Sequence, residues 1–229
     1  MKRIKKQKTP IQDPVRYAEE KFGVPCRVRA VTAPWKEWIV PCTTGQFASL
    51  GKGYKRHCGP TAMAGMILTL NRRHPFLQDP CPADIFRTVV RIGQKTGIYW
   101  NTDFLGRFGG TYDILTRKYI RDCLKAFGIR QKGGDGGYTV TVHGRPFPKK
   151  SAFLQAIRDG KLLYLQLSHN ARYGSHHLLC YGYTTVGSID GEHWEVYLLL
   201  ADGWSAQPRY LPLSETGICH FFEIGAESR

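Results

Sequence analysis

Hydrophobic and polar positions follow a helical period in the first half of the chain and a strand-like one in the second. Asp13-Pro14 couples a capping side chain to a proline suited to the first helical position; Tyr17 and Phe22 fall on one side and Gly23 ends the run. A short amphipathic helix is predicted there. Val24 to Lys55, with Pro25, Pro34, Pro41, Gly45, Gly51 and Gly53, reads as loop with a short strand around Trp38 to Val40. From Gly59 to Asn71 the residues Ala62, Met63, Met66, Ile67 and Leu70 continue without a proline after Pro60, which predicts a helix buried on most of its surface. Two further helices are predicted, at Pro82 to Lys95 and at Tyr112 to Phe127. The second has Thr111 as cap, Ile114, Leu115, Ile120, Leu124 and Phe127 as core contacts, and Gly128 as stop.

After the glycine-rich connector Gly133-Gly134-Asp135-Gly136-Gly137 the period changes. Tyr138 to Val142 is a strand candidate and Lys149 to Arg158 a helix. Lys161 to Leu167, His176 to Tyr183, Trp194 to Leu200 and Ile218 to Ile224 are rich in Leu, Tyr, Val and Phe and are separated by turn residues, as in an antiparallel sheet. Helices first and strands later predict an α+β architecture.

A chain of 229 residues with ordinary hydrophobic content suits one globular domain, placed at 13–229 behind a basic disordered tail at 1–12. The net charge is +15, and Lys2, Arg3, Lys5, Lys6 and Lys8 supply part of it within that tail, which is read mainly as a solubilising segment. No stretch approaches the ~20 apolar residues that span a bilayer, and the basic start is not followed by the apolar segment of a signal peptide. Seven cysteines, at 26, 42, 58, 81, 123, 180 and 219, are odd in number and unpaired in spacing, which favours a reducing compartment, here the cytoplasm.

One of those cysteines stands out. Cys58 opens the run Cys58-Gly59-Pro60-Thr61-Ala62, at the first turn of the buried helix, where the positive end of the helix dipole favours a thiolate. Downstream, His176 heads the apolar stretch His176-His177-Leu178-Leu179-Cys180-Tyr181-Gly182-Tyr183, and Asp202 ends Tyr197-Leu198-Leu199-Leu200-Ala201-Asp202 before Gly203-Trp204. The order Cys, His, Asp suits a thiol hydrolase.

These three motifs, spanning Cys58 to Trp204, resemble the papain-like cysteine peptidases, in particular the bacterial peptidases that cleave double-glycine leaders. The resemblance implies a papain-like fold with Cys58 as nucleophile, His176 as its base and Asp202 as the residue that orients the imidazole. Strand alternation sends His176 and His177 to opposite faces. The family spacing, with glycine six places after the histidine, selects His176 because of Gly182. One departure is visible: where the family carries its oxyanion-hole Gln, six residues before the nucleophile, this chain has Lys52, and Gln46, twelve residues before it, is the candidate substitute if the intervening glycines form a longer loop.

Other readings are weaker. Gly45 with Gly51-Lys52-Gly53 is one residue too long for a phosphate loop and has Gly53 where a hydroxyl is needed, so no nucleotide cofactor is expected. His57, Cys58, His74, His176 and His177 lack a paired metal-ligand spacing, so no metal is expected. Trp35, Trp38, Tyr99, Trp100 and Trp204 suit packing better than base stacking. The expected activity is cleavage of a peptide or protein amide through a thioester, with a basic surface that favours an acidic partner over nucleic acid. Acyl transfer or deamidation would use the same three residues, and a non-catalytic basic binding module on the same fold is the alternative from another class.

Overall fold

A computed structural model describes residues 8–50, 56–100, 110–111, 115–129 and 138–228. Its centre is an antiparallel sheet of seven strands. Strand β1 (Cys26–Thr32) lies between the first two helices; β4 (Tyr138–Pro146), β5 (Leu162–Asn170), β6 (Gly174–Ser188), β7 (Trp194–Ala201), β8 (Arg209–Pro212) and β9 (Ile218–Ser228) come from the second half of the chain. The order is β4-β9-β5-β6-β7-β8, and β1 also pairs with β6. Strand β6 is 15 residues long, so β5 and β1 share one of its edges in tandem: β5 takes residues up to Cys180 and β1 those from Tyr183 onward.

Among the described residues, six α-helices flank the sheet. Helix α1 (Pro14–Phe22) has the predicted cap, with Asp13 accepting from the N–H groups of Val15 and Arg16, and Gly23 in the left-handed region at φ 73°. An ion pair of 2.7 Å between Lys21 and the buried Glu195 holds it to β7. Helix α2 (Thr44–Ala48) is short, and α3 (Cys58–Arg73) is the central helix, with Gly59 to Asn71 buried throughout. Helix α4 (Pro82–Lys95) has the predicted bounds, and the Tyr119 hydroxyl of α5 (Thr116–Ala126) bonds its Val89 carbonyl.

Met63, Met66, Ile67 and Leu70 of α3 share a core with Tyr164, Leu179, Tyr181, Leu199 and Phe222 on one sheet face. On the other face Phe153, Ala156 and Ile157 of α6 (Lys150–Arg158) pack on Leu163, Leu165, Leu178, Cys180, Leu198 and Leu200. Alternation along each strand divides the two cores. The mixed, antiparallel α+β class is the expected one.

Several local expectations are revised. Cys26–Thr32 is a strand, not loop. Its exposed Arg27 and Arg29 interrupt the apolar signal because it is mostly solvent-facing. Trp35 to Ile39 forms turns and not the short strand expected at Trp38 to Val40. Thr111 is no helix cap: it pairs with Tyr99 in a two-stranded ribbon, β2 (Tyr99–Trp100) with β3 (Gly110–Thr111), and α5 starts later. Ile114 and the connector at 133–137 lie outside the described residues.

Residues 8–12, read as part of the disordered tail, are ordered. From residue 8 the chain is docked: the Lys8 N–H donates to Ala171 O, Arg172 donates to Thr9 O, and buried Ile11 bridges to Tyr210. Lys8 and Arg172 both pair with Glu215; burial raises that carboxyl and the two cations outweigh it, leaving it below its usual range. Lys2, Arg3, Lys5 and Lys6 lie outside the described residues. Among the described residues no helix is long and apolar enough to cross a membrane.

Candidate active site

Cys58 is the first residue of α3 and is half-buried. The backbone N–H groups of a first helical turn have no intrahelical acceptor, which is also why Pro60 is tolerated there. Thr61 N–H closes the first turn on His57 O at 2.9 Å, and the His57 ring, buried edge-on against Phe86, meets the Thr61 hydroxyl at 3.0 Å. Burial pushes the thiols of Cys42 and Cys180 up to about 12 and that of Cys219 to about 11, which makes them poor nucleophiles. Cys58 is more accessible and stands at the positive helix end.

The two histidines at the start of β6 part as alternation requires. His177 lies across from Gln166 of β5 and on the face that carries α3, the face of Leu179. Its Nδ1 is 3.2 Å from the Tyr164 hydroxyl, which in turn donates to the Gly59 carbonyl at 3.3 Å. Tyr164 is fully buried, and its ring meets that of His177 edge-on at 5.8 Å. Gln166 donates to the Thr116 hydroxyl at the start of α5. A hydrogen-bonded path therefore runs from the imidazole of His177 to the residue next to Cys58.

His176 is on the other face, with Leu178 and Cys180. The family spacing selects His176; the register puts its neighbour on the side of α3. Its Nε2 meets the Asp202 backbone oxygen at 2.6 Å, its ring is parallel to Tyr173 at 5.7 Å, and Trp204 covers it at 4.5 Å. Desolvation lowers its pKa against the opposing pull of Asp202, so the ring is neutral at pH 7.

Asp202 is fully buried and touches His176 through its carbonyl rather than its carboxylate. The carboxylate accepts from the N–H groups of Trp204 at 2.9 Å and Ser205 at 3.0 Å, an Asx turn that shapes the end of β7. The next residue, Gly203, accepts from Thr44 N–H at 2.7 Å, which ties that turn to α2. Gln46 is exposed on α2, and no hydrogen bond joins its side chain to another described residue. Lys52 lies outside the described residues.

The structure thus joins His176 to Asp202 O, and His177 through Tyr164 to the carbonyl of Gly59, the residue after Cys58. The sequence reading set His177 aside for His176 and did not single out Tyr164; strand alternation separated the two histidines, and only the β5–β6 register shows which of them shares a face with Tyr164 and Leu179. Among the described residues no three His, Cys, Asp or Glu side chains gather as metal ligands.

His57 and His176 are both held below the ordinary imidazole range by burial. The unfolded chain takes up protons near pH 6.5 that the folded chain refuses, so this stability is present above that pH and lost as pH falls toward the folded values. Urea denaturation at pH 7.5 and 5.5 should therefore show a lower unfolding free energy at pH 5.5, and a smaller difference in His176→Phe.

No protein-family model and no curated protein sequence matches the chain.

Proposed function

We propose that the protein is a cysteine hydrolase that cleaves a peptide or protein amide through a thioester on Cys58. The observation that carries this reading is the placement of a half-buried cysteine at the start of α3, beside a carbonyl that Tyr164 links to the His177 imidazole. Support also comes from the three motifs that resemble the papain-like peptidases and from a nucleophile helix packed on an antiparallel sheet.

In this reading His177 takes the thiol proton and the sulfur attacks the scissile carbonyl. The Cys58 N–H donates to the oxygen as it becomes negative, a contribution of about 3 kcal/mol for one such donor. Protonated His177 then gives its proton to the departing amine, and the carbonyl reforms as a thioester. His177 next accepts a proton from water, whose oxygen attacks the thioester and returns the thiol. His176 and Asp202 hold the end of β7 beneath Trp204. The net charge of +15 favours an acidic substrate.

The test is thiol chemistry. Iodoacetamide should modify residue 58 rapidly at pH 6, as located by peptide mass spectrometry. Cys58→Ala should remove that peptide and leave Tm within about 3 °C, because a half-buried helix-start side chain contributes little packing. A sluggish thiol at residue 58, or a collapse of Tm in the alanine variant, would count against the proposal.

A further inference from the structure

We infer that Tyr164 is the positioning residue of this site, fixing which nitrogen of His177 faces the chemistry; the inference rests on the reading of Cys58 as nucleophile and His177 as its base. A carbonyl only accepts, so the bond from Tyr164 to Gly59 O uses the single phenolic proton. Toward His177 the same oxygen then acts as acceptor, and Nδ1 must carry the proton that fills their 3.2 Å contact. With Nδ1–H as donor, Nε2 holds the lone pair that a general base needs.

The carboxylate that the motif order suggests for this task is engaged elsewhere. Asp202 spends one oxygen on the Trp204 and Ser205 N–H groups and offers His176 only its carbonyl. Tyr164 has the opposite placement. It is fully buried on the α3 face, packed edge-on against Phe222 at 6.5 Å, so its hydroxyl is held by a rigid ring. One phenol therefore fixes both the imidazole and the peptide that follows Cys58. As imidazolium forms, the neutral hydroxyl goes on accepting the hydrogen bond from Nδ1–H without the charge that a carboxylate would add, which keeps the base weaker and the operating pH lower.

The experiment compares the full chain with Tyr164→Phe and Asp202→Asn, reading the pH dependence of iodoacetamide alkylation at residue 58. Tyr164→Phe should slow the pH 6 rate by about tenfold, the order expected for loss of one hydrogen bond to a forming cation, and move the profile. Asp202→Asn should leave rate and profile within about twofold. A second measurement needs no variant: ¹⁵N shifts of His177 in the native chain should show the proton on Nδ1. An Nε2–H tautomer, or a folded Tyr164→Phe chain that reacts like the native one, would overturn the role of Tyr164 alone. A native chain whose residue 58 reacts no faster at pH 6 than free cysteine would overturn the site itself and this role with it.

Discussion

His177→Ala should slow alkylation of Cys58 at pH 6 by about a hundredfold or more, the usual cost of deleting a general base. His176→Ala should spare the thiol. It leaves the alkylation rate within about threefold and destabilises the fold, because it removes a buried ring packed against both Tyr173 and Trp204 and a 2.6 Å hydrogen bond to Asp202 O. Truncation of a buried ring costs about 3 kcal/mol, which for a chain of this size lowers Tm by about 6–12 °C. Parallel measurement of labelling rate and Tm in the two variants checks both halves. If His176→Ala silences the thiol while His177→Ala does not, the familiar papain-type pairing is restored and the assignment of His177 fails.

The second large effect concerns the glycine of the same motif. A Cβ at Gly182 would lie 2.6 Å from Ala33 Cβ, 2.7 Å from Ala33 Cα and 2.7 Å from Thr32 O. Two of those atoms are backbone, so relief requires the end of β1 to move away from β6. Gly182 also closes the bulge where the β6–β7 register shifts after Cys180. Gly182→Ala should therefore cost about 3 kcal/mol or more, the upper range for overpacking. Chemical denaturation should show it, whereas Gly45→Ala, whose added Cβ meets its nearest atom at 3.9 Å, should stay within about 1 kcal/mol. A Gly182→Ala chain as stable as the native one would show that β1 is loosely held. The spacing of this glycine from His176 thus has a packing reason that does not depend on catalysis.

Sequence pattern carried the fold class and the long elements because their apolar periods are strong: α3, α4 and β7 lie within two residues of expectation, while β6 runs five residues past its expected end, to Ser188. It failed where burial is one-sided or geometry is non-local. Strand β1 is exposed along most of its length, so charged residues hide its period, and β8 is four residues long. Docking of residues 8–12 depends on Arg172, Glu215 and Tyr210, all distant in the chain, and no local signal encodes that. The helix start at Cys58 was readable from the sequence. Which of His176 and His177 lies on the side of α3 was not, since it depends on which sheet face that helix covers. Tyr164 resembled any core aromatic until the hydrogen-bond partners of its hydroxyl were known.

The position of β9 has a consequence for synthesis. That strand, residues 218 to 228, lies between β4 and β5, so β4 has its ladder only through a segment made some eighty residues later. While residues 218 to 228 are still inside the ribosomal tunnel, Val140, Val142 and the β5 edge lack the strand that pairs with them in the described sheet. Completion of the sheet must therefore follow emergence of 218 to 228, and a nascent chain stalled before that point is expected to offer two open strand edges to chaperones or to other chains.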